Sequence, residues 1–387
     1  MLRAFKTEIN PTQDQIVKIH QTIGVCRFIY NFYLSHNKDI YESEKRFVSG
    51  MDFSKWLNNE FIPNHQEYKW IKSASSKAVK QVIMNGEKAF KRFFKGESKF
   101  PRFKKKKNQD VKAYFPKNNK TDWVVERHRI KIPTLGFMRL KEKGYIPTNS
   151  NVTSGTVSLK AGRYYVSVLV NVEERNYDHL SFTEGVGVDL GLKNFAMVSN
   201  GIVKSNINKT VRVKKFEKRL KREQKRLSRK YEDKKKRGEK SAIRSANIDK
   251  QVLKIQKLHK KSSDIRSNYV SQIVKELVKT KPEFITIENL NVSGMMKNRH
   301  LSKAIQKQNF YGFRVKLTDK CKQLGIELRV VSRFYPSSKQ CSCCGNIKKD
   351  LRLSDRVYVC DKCGLQIDRD YNATINLRDA KEYTIAS

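Results

Sequence analysis

Gly185-Val186-Gly187-Val188-Asp189-Leu190-Gly191 is an apolar run that ends on an acid and breaks at a glycine turn. Phe195-Ala196-Met197-Val198 follows and reads as a second strand. Further along, Phe284-Ile285-Thr286-Ile287-Glu288-Asn289-Leu290 repeats the pattern. A buried strand there delivers Glu288 at its C-terminal end, where sites on α/β sheets gather. A third acid comes late, in Asp368-Arg369-Asp370-Tyr371-Asn372-Ala373-Thr374, which opens a helix through Leu377.

One acid at a strand end is usually a cap or a surface residue. Three in this order, each in such a setting, predict an RNase H-like α/β sheet whose first acid sits on its first strand. The chemistry of phosphodiester cleavage uses such a set. Two divalent ions roughly 3.5–4 Å apart clamp the attacking and leaving oxygens of an in-line displacement. Hard carboxylate oxygens suit Mg²⁺ or Mn²⁺, and the cations relieve the mutual repulsion of clustered acids. Asp189, Glu288 and Asp370 are therefore the expected catalytic, metal-holding acids. Asp368 competes for the third place, but residues two apart on a helix point away from each other. Asp370 stands directly before the Tyr-Asn-Ala helix start, which leaves Asp368 as a cap or as a residue supporting the ligands from behind.

Between the second and third acids lie Cys341-x2-Cys344 and Cys360-x2-Cys363, separated by Gly345 to Val359. This is the spacing of a four-thiolate zinc site, closed and structural rather than catalytic. Gly345 and Gly364 follow the second cysteine of each pair and permit tight knuckle turns. Cys343 fits neither pair and reads as a bystander. Clustered cysteines point to metal binding in a reducing compartment rather than to a disulfide framework.

The composition names a partner class. Among 387 residues, 82 Lys and Arg face 38 Asp and Glu, a net charge of +44. A small-molecule enzyme has no use for that self-repulsion, whereas a polyanion neutralises it. The 16 Tyr, 20 Phe and 3 Trp suit base stacking beside phosphate contacts. No stretch approaches the roughly 20 apolar residues of a membrane span, and the opening Met1-Leu2-Arg3-Ala4-Phe5-Lys6 lacks the apolar run of a signal peptide.

Thr12-x-x-Gln15 after Pro11 reads as a capping box. Ile16, Ile19, Ile23, Cys26, Tyr30 and Tyr33 then recur at helical spacing, and residues 11–95 read as a helical domain. Residues 112–174 read as short strands. Ile130 and Ile132 alternate, and Tyr164, Val166, Val168, Val170 and Val172 alternate after a turn at Ala161-Gly162. Together with residues 2–9 they suggest a small β-barrel into which the helical domain is inserted. Arg102 and the run Lys104-Lys105-Lys106-Lys107 are candidate phosphate contacts. Residues 209–263 are the most basic stretch, expected as a long helix or helical hairpin with phosphate-facing sides.

The chain resembles the TnpB (OrfB) proteins of bacterial insertion sequences, relatives of compact type V CRISPR effectors. The resemblance is carried by Gly187-Val188-Asp189-Leu190-Gly191, Ile287-Glu288-Asn289-Leu290, Ser337-Ser338-x-x-Cys341-x-x-Cys344-Gly345 and Asp368-Arg369-Asp370-x-Asn372-Ala373. Phe93-Phe94-Lys95-Gly96 with Phe100-Pro101-Arg102-Phe103-Lys104 extends it into the N-terminal half.

The resemblance implies an α+β multidomain fold. A wedge β-barrel (1–10 and 96–180) carries an inserted helical recognition lobe (11–95). A RuvC-like nuclease follows (181–335, with the basic arm 209–263), interrupted by a zinc ribbon (336–366) and closed by a C-terminal helix (367–387). It implies RNA-guided cleavage of double-stranded DNA beside a short flanking motif, with a guide RNA derived from the transposon end. Mg²⁺ or Mn²⁺ and Zn²⁺ are the implied cofactors. The expected protein is a cytoplasmic, nucleoid-associated monomer with no membrane partner. Lys77 and Gln81, spaced i, i+4 on one helical face, stand where the family reads its flanking motif. Ser337 and Ser338 are further nucleic-acid candidates. Arg266-Ser267-Asn268 and Asn372-Ala373-Thr374 depart from common family patterns without touching the acids. The intact acids argue against a cleavage-dead repressor, and the large basic N-terminal half argues against a guide-independent resolvase.

Overall fold

The computed structural model describes residues 2–106, 112–117, 119, 122–172, 182–238, 245–352 and 354–386. The chain divides into two compact units, Met1–Glu174 and Arg175–Ser387.

The first unit opens with β1 (Leu2–Asn10), whose Phe5, Thr7 and Ile9 alternate inward. Helices α1 (Gln13–Glu44), α2 (Gly50–Trp56), α3 (Ile62–Asn64) and α4 (Ser76–Phe94) follow, with a π-helical turn over Leu57–Phe61 and a 3₁₀ stretch over Gln66–Ser73. Then come β2 (Ala113–Pro116), β3 (Val124–Val125), β4 (Arg129–Ile132), β5 (Gly136–Leu140), β6 (Val152–Lys160) and β7 (Arg163–Asn171). The seven strands form one antiparallel sheet in the order β2-β6-β7-β1-β5-β4-β3. β1 thus lies inside the sheet, between β7 and β5.

Local signals account for much of this. Thr12 caps α1 with the expected capping box: its hydroxyl accepts from the Gln15 N–H, and the Gln15 side chain accepts from the Thr12 N–H at 2.9 Å. The Gln15 amide also donates to the Leu135 and Phe137 carbonyls, tying the helix start to the sheet. Ala161 and Gly162 both have positive φ, 52° and 73°, and close the β6–β7 hairpin. Two consecutive positive φ values match the right-handed twist of the flanking strands. The helices pack Val25, Ile29, Tyr33, Phe53, Leu57, Ile83 and Phe90 into a core of their own.

The second unit begins with β8 (Val186–Leu190), β9 (Asn194–Val198) and β10 (Val203–Ser205). Helices α5 (Val211–Lys236) and α6 (Ala246–Lys279) follow, then β11 (Phe284–Glu288). Next come α7 (Val292–Met295), α8 (Ser302–Gln308), α9 (Phe310–Leu324) and β12 (Glu327–Val331). The last elements are β13 (Val357–Val359), β14 (Gln366–Asp368), α10 (Arg369–Arg378) and β15 (Thr384–Ile385).

Six strands form a mixed sheet in the order β10-β9-β8-β11-β12-β15. β8, β11 and β12 are parallel, while β9, β10 and β15 run antiparallel to their neighbours. One face packs Val188, Phe195, Ile285, Ile287 and Leu328 against Val270, Ile273 and Val274 of α6 and Phe313 and Leu317 of α9. The other face carries α10. The expectation of a helix alone over 367–387 is corrected at two points. β14 belongs to the ribbon hairpin with β13, and β15 adds an edge strand to β12.

The basic stretch is a helical hairpin, with α5 packed on α6. Glu223 is its one buried acid among the described residues, 3% exposed. The carboxylate accepts from Gln251 at 2.9 Å and pairs with Lys254 at 3.1 Å and Arg226 at 3.2 Å. These partners, the Gln251 bond first, pull its pKa down to about 2 from an unfolded value of about 4.3. A depressed carboxylate contributes stability that is full above the unfolded pKa and is lost as pH falls through the folded one. Glu223→Gln should therefore melt below the parent at pH 7, with the difference closing between about pH 4 and pH 2. Thermal melts of both proteins across that range check it; a difference that persists at pH 2 would mean shape rather than charge is responsible.

Candidate functional site

In the parallel register, Thr286 pairs with Gly187 and Ile287 with Val188. The next residues, Glu288 and Asp189, are therefore neighbours at the C-terminal ends of adjacent strands. Side chains alternate across a sheet. Asp189 shares a face with Gly187, and Glu288 shares it with Thr286.

That face is the one α10 covers. A Cβ on Gly187 would lie 2.0 Å from the Thr374 carbonyl oxygen and 2.5 Å from the Arg378 nitrogen. Only glycine lets helix backbone approach this closely, so Gly187 sets the height of α10 above β8. Asp368 caps that helix, accepting from the Tyr371 N–H at 3.0 Å. Asp370 then stands in its first turn, half-buried.

The electrostatics tie the three acids together. Asp189 has its pKa pushed up to about 8, by burial first, then by the charges of Glu288 and Asp370. Burial also raises Glu288, against a hydroxyl bond from Ser337 that lowers it. Like charges held together without a cation disfavour ionisation. A cleft of about 420 Å³ opens beside Glu288, lined among others by Leu190, Asn289, Tyr311, Arg314 and Arg333. Arg314 is held there by Asn289, whose Oδ1 accepts from it at 2.7 Å.

Cys341, Cys344, Cys360 and Cys363 converge, with their sulfurs all within 4.8 Å of one another. The Cys341–Cys363 and Cys344–Cys360 sulfurs are 3.6 Å apart. A tetrahedron of thiolates at a Zn–S distance of about 2.3 Å has edges of about 3.8 Å, so the donor set fits zinc. The two knuckles have the same wiring. Cys341 N–H donates to Asn346 O and Gly345 N–H to Cys341 O; Cys360 N–H donates to Leu365 O and Gly364 N–H to Cys360 O. Gly345 and Gly364 have φ of 72° and 73°. Cys343 is exposed and outside the cluster.

Among the described residues, the thiols are the one group of three or more potential ligands gathered tightly enough for a single ion. Asp189, Glu288 and Asp370 do not form such a group, but Asp189 is close enough to the other two to feel both charges.

The nucleic-acid candidates divide. Lys77, Arg102, Lys105 and Lys106 are exposed, and Gln81 is half-buried with its amide on Asn85. Lys104 is partly engaged: Asn31 bonds its backbone N–H and carbonyl, and its ammonium lies over the Tyr30 ring. Lys107 lies outside the described residues. Ser338 is half-buried. Ser337 is corrected: it is 3% exposed and its hydroxyl faces Glu288, so it presents no surface to a nucleic acid.

Sequence reasoning missed several buried amides. Gln308, 2% exposed, donates to the carbonyls of Gly191 and Leu192 just after Asp189. Asn372 and Asn376 of α10 bond the segment leading into the first knuckle. Their sequence neighbourhoods carry no sign of these long-range partners.

Comparison with known proteins places this geometry. Family models match at residues 1–46 ("Helix-turn-helix domain", OrfB_IS605 type), 167–299 ("Probable transposase", OrfB_IS605) and 310–377 ("Cas12f1-like, TNB domain"). The chain is 30% identical over its whole length to the "Putative RNA-guided DNA endonuclease InsQ" of Escherichia coli K12, covering 94% of that protein. The chain belongs to the TnpB (OrfB) family. A second TnpB-family relative, a "Putative RNA-guided DNA endonuclease" of Streptomyces pristinaespiralis, is 30% identical over 97% of this chain and 88% of its own length. Among solved structures, the Cas12f1 chain of a Cas12f1-sgRNA-target DNA complex superposes with a TM-score of 0.58 at 18% identity. It covers 96% of this chain and 84% of its own, a likeness of mixed α/β fold. No helix among the described residues is long and apolar enough to cross a membrane.

Proposed function

We propose that this TnpB-family protein is an RNA-guided, divalent-metal-dependent DNA endonuclease of a transposon. In this reading it cuts double-stranded DNA beside a short flanking motif, using a guide RNA derived from the transposon end. The observation that carries the reading is the placement of Asp189 and Glu288 at adjacent strand ends, with Asp370 in the first turn of the helix that covers that face. The strand order β10-β9-β8-β11-β12, with β8 and β11 parallel and β9 and β10 antiparallel, supports a RuvC-type, RNase H-like domain. The names of the E. coli and Streptomyces relatives support guided DNA cleavage.

Asp189, Glu288 and Asp370 would hold Mg²⁺ or Mn²⁺, and the four thiolates Zn²⁺. Divalent ions held there would activate a water and stabilise the charge developing on the 3′-oxygen leaving group. The chain's own part is placement. β8 and β11 fix two carboxylates side by side, and α10 brings the third. Arg314 and Arg333 line the neighbouring cleft, where guanidinium groups can bind phosphate oxygens, and Tyr311, 70% exposed, offers a ring for a base. The hairpin α5–α6 and the exposed Lys77, Arg102, Lys105 and Lys106 supply charge for backbone contacts.

RNA that copurifies with the full chain tests the guided reading. Sequencing should return one defined transcript, and nuclease removal of it should abolish DNA cleavage. Full activity of RNA-free protein would contradict the proposal.

A further inference from the structure

The ribbon and the acids are not independent. After β12, the chain runs through Tyr335 and Ser337 into the first knuckle at Cys341. This segment is gripped by the helix that bears Asp370. The Asn376 amide donates to the carbonyls of Ser337 and Gln340, both at 2.7 Å. The Asn372 amide donates to Gln340 O at 2.7 Å, and its carbonyl accepts from Ser342 N–H at 3.0 Å. Tyr335 returns a hydroxyl to Asn376 O at 3.0 Å. Further along the ribbon, Arg369 donates to Arg352 O at 3.0 Å. Asn372 is fully buried and Asn376 is 4% exposed. Buried amides hydrogen-bonded in this way fix their partners firmly, since breaking a bond strands a polar group.

Out of this clamp Ser337 extends its hydroxyl to Oε1 of Glu288. A carboxylate at a strand end can rotate about its terminal torsion. A hydroxyl on one oxygen stops that rotation and leaves the other oxygen to ligate.

We propose that Ser337 is a positioning residue for Glu288, held in place by Asn376, so that the thiolate ribbon sets the orientation of one acid of the metal-holding centre. The inference rests on the carboxylate reading above. It explains why a buried serine stands four residues before the first zinc ligand, where a surface contact had been expected. Partners that orient a metal-ligating carboxylate typically change metal affinity or activity by about 10–100-fold when removed.

The test uses the zinc-loaded full chain and the variants Ser337→Ala, Ser337→Val and Ser337→Thr. Val and Thr share a shape, so any packing cost of the added methyl is common to both and only the hydroxyl differs. Mn²⁺ affinity is measured by electron paramagnetic resonance on the RNA-free chain. Binding that disappears in Asp189→Ala defines the carboxylate site. The Mg²⁺ concentration for half-maximal cleavage is measured on the RNA-bound chain. Ala and Val should weaken Mn²⁺ binding by about tenfold or more and raise the Mg²⁺ requirement in parallel. Thr should return both toward the parent, with zinc content unchanged throughout. Equal Mn²⁺ affinity of Val and Thr, or parental affinity of Ala, would overturn the positioning role. Should Asp189→Ala bind Mn²⁺ like the parent, the carboxylate centre itself fails and the role of Ser337 falls with it.

Discussion

Asp189→Ala should abolish DNA cleavage while leaving RNA binding intact. Asp189 sits near the end of β8 beside Glu288, on the face covered by α10, close enough to Glu288 and Asp370 to feel both charges. Removing a single preorganised charge-stabilising group costs on the order of 10²–10³ in rate. A ligand facing the whole centre should cost at least that, and cleavage should fall to background. The same variant carries a second expectation. In Mg²⁺-free buffer Asp189 is destabilised by burial and by its acidic neighbours, so its removal relieves repulsion. The variant should melt at or above the parent temperature, the usual trade between site chemistry and stability. A large loss of melting temperature would assign Asp189 to the scaffold instead.

Cys344→Ser should lower bound zinc and destabilise the C-terminal region. The ribbon has little core of its own. Its core is Cys341, Tyr358 and Cys360 with Leu351, Leu365 and Ile367 around them, too small to fold by burial alone. Structural zinc sites supply on the order of 10–16 kcal/mol of apparent binding energy in isolated finger peptides. Loss of the metal should therefore release the ribbon. Because Asn372 and Asn376 join it to the helix bearing Asp370, the damage should reach cleavage as well. Zinc content by elemental analysis and a melting curve check this; parental values for both would refute the ribbon.

The site was legible in the sequence wherever its signal is local. Val186–Leu190 and Phe284–Glu288 announce themselves as apolar runs ending in acids, and the paired cysteines carry their glycines with them. Asp368 and Asp370 are two apart, and the helix start shows locally why they differ: the first is the N-cap and the second a first-turn residue. The capping box at Thr12 and the turn at Ala161-Gly162 likewise depend on neighbours a few residues away. What stayed hidden depends on distant partners. β15 is two residues long and exists only because β12 offers an edge. Nothing around Ser337 says that Glu288 lies across from it. Lys104 reads as one of four equivalent lysines, and only Asn31 and Tyr30 distinguish it.

The most direct test of a guided, metal-dependent cut is to change the guide. The full chain is loaded with its copurified RNA carrying a replaced guide segment, then offered two DNA targets in Mg²⁺, one matching the original segment and one the replacement. The expected result is cleavage only of the newly matched target, and none of either with Asp189→Ala. Continued cutting of the original target, or equal cutting of both, would contradict it.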